Sequence, residues 1–129
     1  MLTLRYRNST EMIDWLSRAF GFEFQSIDSD ADGTAIRAQL SFGGSAIVIT
    51  PLEFETPYSR FMKQPDQLGG IETQLPTLTV QDCRSFYAKA KAVGAEIVSD
   101  LQEMQPYYLT FTCRDPEGHL WNVAGFDQM

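Results

Sequence analysis

The chain has 129 residues, 43% of them hydrophobic and 21% charged, and a formal charge of −7 from 17 acidic against 10 basic side chains. This is ordinary globular composition, enough for one domain that buries roughly two thirds of its unfolded surface without a disulfide or a structural metal. It excludes a membrane-spanning helix, which needs about 20 consecutive apolar residues, and argues against nonspecific nucleic-acid binding, which needs cations along phosphate.

The opening stretch, MLTLRYRNSTEM, has two arginines and a glutamate where a signal peptide would be apolar, so no signal peptide is expected. Residues 1–7 read as a strand, with Leu2, Leu4 and Tyr6 on one face and Thr3, Arg5 and Arg7 on the other. Asn8-Ser9-Thr10-Glu11 supplies an N-cap and an early acid. Met12, Ile13, Leu16, Ala19 and Phe20 follow at helical spacing, and Gly21 ends the helix. Alternation then predicts strands at Phe22–Ile27, Ala35–Phe42 and Ala46–Thr50, joined by the polar turn Asp28–Gly33 and by Gly43-Gly44. Residues 51–73 lack periodicity, hold Pro51, Pro57 and Pro65, and read as a linker with a helical turn near Ser59–Gln64. Beyond it come a strand Leu75–Val80, a helix Cys83–Val93 capped by Gln81-Asp82 and stopped by Gly94, and strands at Ala95–Leu101, Tyr107–Cys113 and His119–Phe126.

The second half thus repeats the first. Ala19-Phe20-Gly21-Phe22-Glu23 matches Ala92-Val93-Gly94-Ala95-Glu96 at a shift of 73 residues. Two like modules, each too small to bury its sheet face alone, are expected. The division is 1–50 for the first module, 51–73 for the linker and 74–129 for the second, together one domain.

Two βαβββ modules, a helix ending in AFGFE and a late DPEGHLW stretch (115–121) resemble the vicinal oxygen chelate superfamily, which includes glyoxalase I, extradiol dioxygenases and the bleomycin- and fosfomycin-resistance proteins. The nearest flavour is the small bacterial PhnB-like group. The resemblance implies an α+β fold of curled mixed sheets around a cup-shaped cavity, and a homodimer. It also implies a divalent metal held by four side chains, one each from the first and fourth strands of each module. Those positions fall on Met1, Val48, Leu75 and Asn122. None is a His or a Glu, and such residues cannot build a Lewis-acid site with open positions. The expectation is therefore no metal and no cofactor.

Strand alternation sends a second set of side chains to the cup, and the ligand-binding candidates among them are Arg5, Arg37, Gln39, Thr77, Tyr108, Thr110, Thr112 and Asn122. A sheet face open to bulk water would be equally polar. Two arginines on one face would favour an anionic or carbonyl-bearing ligand. Other signals carry less. Asp28, Asp30 and Asp32 before Gly33 match the start of a calcium loop, but its twelfth position is Gln39, so a hairpin turn is expected. His119 is the single imidazole, and no partner acid or nucleophile is fixed by spacing; no catalytic residue is assigned. Cys83 and Cys113 lie 30 apart without a CxxC, consistent with a reducing cytoplasm. Tyr58, Phe61, Met62, Tyr107 and Tyr108 would form either an aromatic wall for a ligand or a dimer interface.

Three functions remain open on the sequence. The first is a metal-independent protein that binds a small organic ligand and sequesters an antibiotic or another toxic compound. The second is an enzyme of the same superfamily, of lyase, isomerase or dioxygenase type, with an atypical site. The third is an accessory interaction module with a closed cup. Neither nucleic acid nor membrane is an expected partner.

Overall fold

A computed structural model describes residues 1–33 and 35–127. It divides into two compact units, Met1–Gln64 and Pro65–Met129. In chain order the first holds strand β1 (Leu2–Tyr6), helix α1 (Ser9–Phe20), and strands β2 (Glu23–Ser29), β3 (Ala35–Phe42) and β4 (Ser45–Pro51), then a short 3-10 turn at Ser59–Phe61. The second opens with another at Pro65–Leu68, then β5 (Thr77–Thr79), α2 (Cys83–Ala92), β6 (Glu96–Gln105), β7 (Tyr108–Arg114) and β8 (Leu120–Phe126). The α+β expectation of two βαβββ modules holds. The Pro65–Leu68 turn was not foreseen, and β6 runs to Gln105 rather than stopping at Leu101.

Each unit has one mixed four-stranded sheet, ordered β1-β4-β3-β2 and β5-β8-β7-β6. The first pair of each is parallel and the remaining pairs are antiparallel. Parallel strands require a crossover, and the helix supplies it. The helices start where short polar side chains replace missing backbone partners. The Glu11 N–H donates to Asn8 Oδ1 at 3.2 Å, and the Ser85 N–H donates to Asp82 Oδ1 at 3.3 Å. Helix α1 ends at Gly21, whose φ of 80° suits a residue without a Cβ.

The apolar stripe of α1 (Met12, Trp15, Leu16, Ala19, Phe20) is buried, as are Leu4, Tyr6, Leu40 and Ile49 of the first sheet. In the second unit Phe111, Trp121 and Val123 are fully buried, and Tyr87 of α2 meets Phe111 edge-on at 5.2 Å. Each large apolar side chain so buried contributes about 2–3 kcal/mol.

The acidic turn is a hairpin turn. Asp28 belongs to β2, the Gly33 N–H donates to the Asp30 carbonyl at 3.0 Å, and the Asp32 N–H donates to Asp30 Oδ1 at 2.9 Å. These local bonds are what Asp does in turns. No helix among the described residues is long and apolar enough to cross a membrane.

Candidate functional site

Alternation leaves one face of each sheet packed on its helix and the other free of it. On the free face of the second unit, register sets Thr77 beside Asn122 and Asn122 beside Thr112. Asn122 is the hub. Its Oδ1 accepts from Thr110 Oγ1 and Thr112 Oγ1, both at 3.1 Å, and its Nδ2 donates to Thr77 Oγ1 at 3.3 Å. Thr110 Oγ1 also reaches the Val123 carbonyl at 3.1 Å. Four of the eight candidate residues therefore form one hydrogen-bonded cluster, anchored on three neighbouring strands. Tyr108 lies two residues along β7 on the same face, its ring edge-on to Phe126 at 4.8 Å.

The polar face extends further than the sequence indicated. Ser99 pairs with Thr112 across the β6–β7 ladder, and Gln102 Nε2 donates to Ser99 Oγ at 3.3 Å. Two register shifts near Ser99 break the alternation that would have revealed them. In the first unit the equivalent row is Thr3, Val48, Gln39 and Ser26. There Gln25 Nε2 donates to Ser41 Oγ at 2.8 Å, again beside a register shift.

Arg5 and Arg37 have different fates. Arg5 is buried, and its Nη2 donates to the carbonyls of Leu52 at 2.7 Å and Phe54 at 3.1 Å. Gln64 Nε2 donates in turn to the Arg5 carbonyl at 2.9 Å. These bonds hold the segment after β4 against β1, so Arg5 acts on its own main chain. Arg37 is exposed and stands opposite Asp28. Thr50, paired with Arg5 across the β1–β4 ladder, buries its Oγ1 without a hydrogen-bond partner among the described residues.

The four positions where the resemblance implies a metal do not fit one. Met1 is 78% exposed and offers a thioether, Val48 and Leu75 offer hydrocarbon, and the Asn122 oxygen already accepts two hydroxyls. Among the described residues no group of three or more His, Cys, Asp or Glu side chains could hold a metal ion.

His119 and Asp115 serve the turn that carries them. Asp115 is 4% exposed; its Oδ1 accepts the Glu117 and His119 N–H groups at 3.0 and 3.1 Å, and its Oδ2 accepts Trp121 Nε1 at 3.0 Å. His119 Nδ1 lies 3.1 Å from Glu72 Oε1. Both cysteines are buried and free. Burial pushes the Cys113 thiol up to about 12, with the Asp115 charge adding to it. Burial also lifts Cys83 to about 11, aided by Asp127 and Asp82 and opposed by Arg84. Neither thiol is therefore expected to react with a disulfide reagent at pH 8 in the native protein, while both react in urea. Because both native values lie above the ordinary 9.0, an unfolded chain loses these protons first. The contribution of these two thiols to stability is accordingly constant below pH 9 and falls as pH rises from 9 toward 12, as thermal melts across that window would show. Rapid native labelling at pH 8 would contradict the burial of both groups.

A family model described as Glyoxalase/Bleomycin resistance protein/Dioxygenase superfamily matches residues 1–123. No curated protein matches the chain. Among solved structures, TioX from Micromonospora sp. ML1 is similar at 29% identity and a TM-score of 0.75, over 97% of this chain and 95% of that one. A glyoxalase/bleomycin resistance protein/dioxygenase family enzyme from Burkholderia phytofirmans PsJN is similar at 18% identity and a TM-score of 0.68, covering 97% and 95%. The genomically encoded fosfomycin resistance protein FosX from Listeria monocytogenes is similar at 14% identity and a TM-score of 0.67, covering 96% and 88%. At these last two identities the likeness is one of fold.

Proposed function

The chain belongs to the glyoxalase/bleomycin resistance protein/dioxygenase superfamily, and on that premise we propose that it binds a small organic ligand without a metal and sequesters it, an antibiotic or another toxic compound being the class of cargo. The observation that carries this reading is Asn122. It occupies a position where the resemblance implies a metal ligand, yet its carboxamide is held among three threonine hydroxyls. Such a cluster offers directed hydrogen bonds and no Lewis acid. The orphaned Thr50 hydroxyl in the first unit supports the same reading, since a ligand or water polar group would satisfy it. The fosfomycin-resistance protein among the structural relatives supports the cargo class. We also place the protein in the cytoplasm as a homodimer, in keeping with its free buried thiols and with exposed apolar side chains such as Phe24 and Ile27 on the edge strand β2.

The test is a thermal-shift screen with glycopeptide, phosphonate and aromatic compounds, run beside metal analysis of the purified protein and light scattering for mass. A true ligand at about 100 times its Kd stabilises by roughly 2.7 kcal/mol, a rise in Tm on the order of 5–10 °C. Asn122→Ala is expected to abolish that rise. One equivalent of tightly bound transition metal per chain would overturn the metal-free reading.

A further inference from the structure

The second unit has an open cleft of about 870 Å3 beside the first turn of α2. Its floor is Leu109, which alternates with Thr110 along β7 and so belongs to the sheet face that packs on the helix. Tyr107 and Phe126 add aromatic surface, 48% and 59% exposed. The charged side chains of the lining are Asp82, Glu103 and Asp127 against Arg84 alone, a balance of about −2 from three negative groups and one positive. Arg84 Nε already pairs with Asp127 Oδ2 at 3.3 Å. Glu103 has no such partner among the described residues. Tyr107 is also the one non-glycine among the described residues with a positive φ, 64°. A bulky residue is costly in that conformation, and here it leaves the phenol ring on the cleft wall.

We propose that this cleft is a second binding site, distinct from the Asn122 cluster, for an organic cation with an apolar body. An anion would meet one carboxylate from a strand, Glu103, and two from loops, Asp82 and Asp127, at once. A cation meets Glu103 and the face of Tyr107 together, while its apolar part lies against the exposed Phe126 ring. A cation over an aromatic ring gains most when both are partly withdrawn from water, and the cleft volume lies in the range that takes drug-sized molecules.

The full chain is titrated with rhodamine 6G, a planar organic cation, by fluorescence anisotropy, with anionic fluorescein as the control. Saturable rhodamine binding is expected, with fluorescein binding at least tenfold weaker. Tyr107→Asn removes the ring at a residue type that tolerates the left-handed backbone, and is expected to weaken rhodamine binding about tenfold. Glu103→Gln is expected to weaken it about threefold, with the loss shrinking as salt is added. Asn122→Ala is expected to leave it unchanged, which separates this site from the one proposed above. Absence of saturable binding, equal binding of fluorescein, indifference to both cleft substitutions, or loss in Asn122→Ala would each overturn the assignment. Melting temperatures of the variants confirm that each remains folded.

Discussion

Gly125→Ala is expected to destabilise the protein by roughly 3 kcal/mol or more, because no space exists for a methyl group there. A Cβ on Gly125 would stand 1.8 Å from the Val80 carbonyl oxygen and 2.8 Å from its carbon. Backbone cannot step aside as a flexible side chain does. Val80 follows β5, and its N–H donates to the Ala124 carbonyl at 2.9 Å. Relieving the overlap therefore means parting β5 from β8, the parallel pair that closes the second sheet. A urea titration read by tryptophan fluorescence measures the loss. A variant within 0.5 kcal/mol of the parent, as an ordinary surface change would be, would show that the two strands separate without penalty.

The second large effect is expected at Asp115. Asp115→Ala removes the acceptor for two backbone N–H groups and for the Trp121 indole, which is fully buried. Bonds to a charged acceptor are worth more than neutral ones, and a buried indole N–H left without a partner adds its desolvation penalty. The expected loss is roughly 3–5 kcal/mol, a large share of the stability of a typical domain. Asp115→Asn keeps the acceptor for the backbone but can turn an N–H toward the indole N–H, so about half that loss is expected. Chemical denaturation of both variants gives the comparison. A loss below about 1 kcal/mol in the alanine variant would show that the turn holds without its carboxylate.

Much of the architecture was legible because the signals are local. Asn8 and Asp82 cap their helices within three residues, and Gly21 stops α1 through its own φ. The shift of 73 between the AFGFE stretch and its partner made the duplication visible before any pairing was known. The polar faces followed from alternation wherever it is unbroken, which is why Thr110, Thr112 and Asn122 were found together. Alternation fails at register shifts, so Ser99, Gln102 and Gln25 were missed. It also says nothing about where a long side chain ends. Arg5 lies on the expected face, but the carbonyls it serves come from Leu52 and Phe54, far along the chain. Asp115 was seen as part of a turn, while its bond to Trp121 depends on how β8 lies against that turn. Tyr107 stood out as an aromatic, but its left-handed backbone gave no sign, since a tyrosine carries no sequence signal for that conformation as a glycine or asparagine does.

The heptapeptide from Asp115 to Trp121 closes on itself: a carboxylate at one end, an indole at the other, and two main-chain amides between. Its message concerns assembly. In this chain those seven residues fasten the last strand to the turn before it. A change at Thr110 or Thr112 on β7 can then alter the polar face without loosening that clasp.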